Sequence, residues 1–213
     1  MTLMRVNAAL YDLQTDWSNT SNPNGVWSSL VNGLPAVYGV RSSDTFDPPG
    51  PTTIWGNGHI GWSQSNGSQS SYLHIQVGDI YGHSAQPSSL PISITWTSPD
   101  AGIAQVDGGT WMLRDIGRSI QWTMTLNGNT VEDTGNLFSG DPFSRSAPDA
   151  FHFTTPVQPG DVLAFTVVPT SSDGDYVGVN FTVTTVPEPS TMLFGLISII
   201  GVAFRRNPNR RIG

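Results

Sequence analysis

The chain has 213 residues and a formal net charge of −7, with no cysteine and no lysine. That length supports one domain with a substantial core; missing cysteine removes disulfides and thiolate chemistry, and missing lysine removes Schiff bases and lysine general bases. The charge is uneven, −10 up to Thr185 and +3 after it, and an acidic body argues against nucleic acid, whose binding needs clustered Lys and Arg. In chain order, residues 1 to about 62 supply early strands, with Trp17, Trp27, Val37 and Tyr38 requiring burial. Asp44 to Thr53 is a loop stiffened by Pro48, Pro49 and Pro51. Ser63 to Ser71 and Gly82 to Pro91 are polar loops, with Tyr72 to Val77 a strand between them. Further strands are expected at Ile92 to Thr97 and Thr110 to Leu113.

The clearest period-2 segment is Ser119 to Leu126, where Ile120, Trp122, Met124 and Leu126 share one face. Asn127-Gly128 then predicts a hairpin, with Asn129 to Glu132 as its return. Ala150 to Thr155, Leu163 to Val167 and Val177 to Val183 complete the set, and Pro159-Gly160-Asp161 is a turn. Short strands separated by turn signals predict a single all-β sandwich over residues 1–185.

Residues 186–213 read differently. Thr191 to Phe204 is a 14-residue, largely apolar run, short of the roughly 20 residues of a full span. Leu193, Phe194, Leu196, Ile197, Ile199, Ile200, Val202 and Phe204 cover every face of a helix, which predicts a short apolar anchor rather than an amphipathic core helix. Arg205, Arg206, Arg210 and Arg211 follow as a cytoplasmic basic stop. Pro187-Glu188-Pro189 precedes it in an extended, accessible backbone.

These three parts in order, over Val186 to Arg211, resemble the PEP-CTERM sorting signal of bacterial surface proteins. The resemblance implies export, transient retention in the cytoplasmic membrane, and cleavage by an exosortase-type enzyme that recognises Pro187, Glu188 and Pro189. It also implies a Gram-negative source and delivery to the cell surface or exopolysaccharide matrix. Such proteins carry an N-terminal signal peptide. Met1 to Tyr11 holds Arg5 but no apolar run, so the expected explanation is a start that lies upstream, with an unexported paralogue as the alternative.

The body has a resemblance of its own. Asn22-Pro23-Asn24-Gly25-Val26-Trp27 resembles an opening seen in bacterial secreted jelly-roll-type domains. The later layout of His83, Ile94 to Pro99, Gln158 to Phe165 and Asp175-Tyr176 fits that likeness, which spans Tyr11 to Thr184 and implies a jelly-roll-like sandwich. Ser84 follows His83 where proline would be expected.

The chemistry of the body is sparse. Most aspartates sit beside Gly, Pro or Ser, where they form turns, so a hydrolytic carboxylate pair is not expected. His59, His74, His83, His152 and Tyr81 could serve a polysaccharide lyase, yet nothing clusters them in sequence. No nucleophile elbow, zincin motif or phosphate loop is present. Asp173-Gly174-Asp175 could place oxygen ligands on Ca2+, with a plain turn as the alternative. Trp96, Trp111 and Trp122 are expected in the core. Trp55 and Trp62 flank a glycine-rich stretch and are the best candidates for an exposed sugar platform, with Asn57 and His59 as polar partners and a core or packing role as the alternative. The reading is a non-enzymatic exported matrix protein, with a carbohydrate-binding module as the alternative and a lyase or hydrolase behind it.

Overall fold

Two antiparallel sheets face each other across an aromatic core. The computed structural model describes residues 8–41, 52–57, 60–66, 75–84, 90–139, 146–171 and 173–187. The strands are β1 (Ala9–Asp12), β2 (Trp27–Val31), β3 (Leu34–Pro35), β4 (Tyr38–Arg41), β5 (Thr52–Asn57), β6 (Ile60–Gln64) and β7 (Ile80–His83). They continue as β8 (Ile92–Thr97), β9 (Gly102–Met112), β10 (Ser119–Leu126), β11 (Thr130–Phe138), β12 (Asp149–Val157), β13 (Val162–Pro169) and β14 (Tyr176–Pro187). The only helix among the described residues is one turn, α1 (Leu13–Asp16), capped by the Asp12 carboxylate, which accepts from the amides of Gln14 and Thr15.

The first sheet runs β12-β9-β14-β7-β6-β5-β4, with β1 paired to the other half of β14's free edge; the second runs β11-β10-β13-β8-β2-β3. The alternation read in Ser119 to Leu126 is realised in β10: Ile120, Trp122 and Met124 are buried and face Leu163, Phe165 and Val167 of β13 in the core. Trp62, Trp96, Trp122, Phe151, Phe165 and Phe181 fill the space between the sheets, with ring centroids 5.3–6.4 Å apart along the Trp122–Phe151–Phe165–Phe181 chain. Burying one such ring stabilises by roughly 3–5 kcal/mol relative to alanine. Trp122 also reaches across to the first sheet, its Nε1–H donating to Asp149 Oδ2 at 2.8 Å.

Several elements depart from the sequence reading. Gly82 and His83 close a strand, Ile80–His83, rather than opening a loop, and Ile75 to Val77 is not strand. Gly82 hides β7 from pattern reading, because its missing side chain makes room for the Trp62 ring; a Cβ there would lie 2.6 Å from it. β9 begins at Gly102, well before Thr110, and Gly108-Gly109 mask its middle. β11 runs on to Phe138, and β6 takes in Ser63 and Gln64. Val37 and Tyr38 are exposed rather than buried. β14 continues through Val186 and Pro187, which pair with Ile103 and Gly102, so the sandwich runs two residues past the expected boundary.

No helix among the described residues is long and apolar enough to cross a membrane. Glu188, Pro189, the anchor Leu193 to Phe204 and the four arginines lie outside the described residues.

Candidate functional site

The strand pairing places every outward side chain of the first sheet. On β14 the outward residues are Asn180, Thr182, Thr184 and Val186; opposite them on β9 stand Gly109, Asp107, Gln105 and Ile103. β12 adds Ala150, His152, Thr154 and Pro156 in the same four rows. β1 sets Leu10 beside Thr184. The outer face therefore changes character along β14. It is apolar where the chain leaves, polar in the middle, and closed at the far end by a second small core of Tyr81, Trp111, Leu113 and Tyr176.

The end from which the chain leaves is made of three turns, at residues 98–101, 127–129 and 158–161. Asn127 and Gly128 have φ of +53° and +72°, the left-handed pair that a type I′ turn requires. The Asn127 side chain accepts from Val162 N–H at 2.9 Å and donates to Asp161 Oδ1 at 2.9 Å. Ser98 N–H donates to the Asp161 carbonyl, and Gly160 N–H to the Ser98 carbonyl. Amide donors from Gln158 and Asn127 hold the Asp161 carboxyl below the usual range.

The opposite end gathers charge. Arg114 Nε donates to Asp175 Oδ1 at 2.6 Å, and both side chains are buried. The Tyr176 amide donates to the same oxygen, the Arg114 guanidinium lies 4.8 Å from the Tyr176 ring centroid, and the His83 ring lies 4.4 Å from that ring. Burial pushes the Asp175 carboxyl up, against the pull of Arg114. Asp173 lies 3.9 Å from Arg118. Each aspartate of the expected Ca2+ pair thus faces a guanidinium, which disfavours a cation there. Among the described residues no three His, Cys, Asp or Glu side chains come together.

The expected tryptophan platform is corrected as well. Trp62 is 0% exposed and belongs to the core, and Trp55 is 6% exposed. Trp55 donates its Nε1–H to the Ser18 carbonyl at 2.7 Å and packs edge-on to Tyr38. The glycines between them are not there to free a loop. Gly56 and Gly61 are cross-strand partners, and a Cβ on either would collide with the other strand's backbone. Asn57 ends β5; its side chain and His59 lie outside the described residues.

The Asn22 to Trp27 opening is a structural clasp. Asn22 Oδ1 accepts from Ser29 N–H at 2.8 Å, and its Nδ2 donates to the carbonyls of Ser29 and Ala36. Asn24 Nδ2 donates to the Asp16 carbonyl, and Trp27 Nε1–H to Asp16 Oδ2. The clasp ties α1 to β2 and β3. The cavity between Trp17, Trp27 and Trp55, about 10 Å3, is the size of one water molecule.

The larger concavity, missed in sequence, lies on the outer face. It has a volume of about 260 Å3 and is lined by Asp107, Gly108, Gly109, Trp111, Pro148, Asn180, Phe181 and Thr182. Its rim holds an exposed pair, His152 Nδ1 with Asp107 Oδ1, and that hydrogen bond holds the Asp107 carboxyl below its ordinary range. Only strand register brings Asp107 beside His152, so no local motif announces it.

Comparison with known proteins gives two findings. Residues 185–207 match the PEP-CTERM protein-sorting motif, so this is an exported protein whose C-terminus is a membrane-anchored sorting signal, and the motif implies exosortase processing. No curated protein matches the chain. Among solved structures, a family 35 carbohydrate binding module from Clostridium thermocellum is 10% identical, over 83% of this chain and 97% of that one, with a TM-score of 0.34. A family 22 xylan-binding domain from Paenibacillus barcinonensis is 7% identical over 85% and 95%, with a TM-score of 0.39. The adhesin domain of Lys-gingipain from Porphyromonas gingivalis is 12% identical over 76% and 99%, with a TM-score of 0.36. The sandwich itself is read from this chain's two sheets.

Proposed function

We propose that the sandwich is a non-catalytic passenger, carried to the cell surface or exopolysaccharide matrix of a Gram-negative bacterium by its tail. The observation that carries this reading is the junction. β14 is an interior strand of the first sheet, and it runs without a break into a matched sorting signal that begins at residue 185. Exosortase-type cleavage near Pro187-Glu188-Pro189 then frees a body whose last strand is already locked in place. The titratable pairs of the body support a non-catalytic role: Asp175 is occupied by Arg114 in a buried site, and His152–Asp107 lies exposed to solvent on the rim of the outer-face concavity. Deleting residues 188–213 from the exported form should abolish surface processing and leave the body soluble in the periplasm. Immunoblotting of surface, periplasmic and membrane fractions checks this, and unchanged processing would refute it.

The groove favours a second reading, glycan binding. At about 260 Å3, bordered by Asp107, Asn180 and Thr182, it offers hydrogen-bond partners for a sugar ring at the surface. Asp107→Ala with Thr182→Ala should weaken retention on the cognate polysaccharide roughly ten-fold or more. Retention unchanged in affinity electrophoresis across neutral and anionic polymers excludes this site.

A further inference from the structure

The end of the outer face from which the tail leaves carries a short apolar row that starts at Val186 and extends beyond the sorting signal onto neighbouring strands. Val186, Ile103 and Pro156 are cross-strand neighbours on β14, β9 and β12, and Leu10 lies one row further in, on β1. Leu10 is 66% exposed, Val186 51% and Ile103 41%. They stand on three adjacent strands of a sheet whose core face is already filled, so they are surplus to folding.

The chain's own length says what lies against them. Only Glu188, Pro189 and Ser190 separate Pro187 from Thr191, where the apolar run begins. Four peptide steps span at most about 14 Å. The headgroup layer of one leaflet is itself roughly 5–8 Å thick. A tail embedded in the bilayer therefore holds this end of the sandwich at the headgroups, with little slack for it to turn away. The charge at this end decides the kind of contact. Asp100 and Asp161 lie in its turns, and no Lys or Arg is found among the described residues of those turns or of the row. With two carboxylates and no cation among its described residues, this end of the sandwich offers a lipid surface apolar area to bury rather than positive charge.

We propose that Leu10, Ile103, Pro156 and Val186 form a lipid-contact surface, which seats the sandwich on the membrane that holds its tail until cleavage releases it. This rests on the sorting-tail reading and adds to it a fixed orientation. The tail end lies on the headgroups, while the Arg114–Asp175 end points away.

Because the chain has no cysteine, single labels are clean. Ile103→Cys and Ile116→Cys place a fluorophore on exposed residues at the tail end and the far end respectively. The full chain is reconstituted into phosphatidylcholine vesicles that carry a headgroup-attached quencher. The expected result is at least three-fold stronger quenching at 103 than at 116, unchanged by 0.5 M salt (about a 4–5 Å Debye length). Leu10→Asp with Val186→Asp should lower quenching at 103 at least two-fold while the protein still floats with the vesicles; a value left unchanged, as the tether alone would set it, overturns the inference. Equal quenching in a floating protein overturns the inference and leaves the tail reading intact. Failure to float overturns both. Shielding at 103 that needs no lipid and rises with protein concentration assigns the row to a second copy, and shielding that needs membranes containing the processing enzyme assigns it to that enzyme; either result overturns lipid contact.

Discussion

Where the tail leaves, the sandwich closes with solvent-exposed hydrogen bonds among three turns, centred on Asn127, Ser98 and the Asp161 carboxylate. At the other end, it closes with a buried guanidinium and carboxylate packed on Tyr176. The two solutions differ in risk. An exposed stitch loses only its own bonds when broken, about 1 kcal/mol each, because water takes over the freed groups. A buried ion pair, if halved, leaves an uncompensated charge in a dry site. The tail end can therefore absorb sequence change around the junction, while the far end depends on keeping both partners.

The largest break in that contrast is Arg114→Ala, expected to destabilise by roughly 3–5 kcal/mol in urea titrations because Asp175 is stranded. Arg114→Met combined with Asp175→Leu should recover most of the loss. If the double replacement is as damaging as the single, the pair does more than satisfy itself. Next comes Asn127→Ala, which removes two hydrogen bonds and places alanine at φ +53°. The expected cost is about 2–3 kcal/mol, and a loss at the top of the range expected for Arg114 would erase the distinction between the ends.

The smallest effects are in pH, and they have opposite signs. The Asp107 carboxyl is held low by His152 in the native state, so its contribution is present above about pH 3.8 and lost as pH falls through the native value. It is exposed and screened by salt. Wild type and Asp107→Asn should differ slightly at neutral pH and converge in acid. Asp175 is pushed up, so the native state holds its proton to a higher pH than the unfolded chain does, and stability falls as pH rises from about 3.8 through the native value. Relative to wild type, Asp175→Asn should therefore improve across that window. Acid titration of the unfolding midpoint separates the two.

Much of the fold was legible because half-buried strands announce themselves by alternation. Ile120, Trp122 and Met124 fixed the face of β10, and Asn127-Gly128 marked its turn. The failures share one physical cause. Gly82, Gly56 and Gly61 each read as a break or a flexible stretch, yet each is a place where a ring or a neighbouring strand approaches closely. That misreading also produced the expected platform at Trp55 and Trp62, since glycine-rich flanks implied exposure where they permit burial. The sorting signal was legible because it is local, an ordered run of sequence that needs no fold to be recognised. The groove was not, because Asp107, His152 and Asn180 meet only through strand register.

The pairing of β14 has a mechanical consequence. Eleven of its residues are in register with β9, from Val177 to Pro187, and β1 and β7 flank its other edge. A force applied through the tail is directed along the strand axis, so it loads these ladders in shear rather than peeling them one rung at a time. Extraction, secretion drag or a tug from a matrix polymer would then meet many bonds at once.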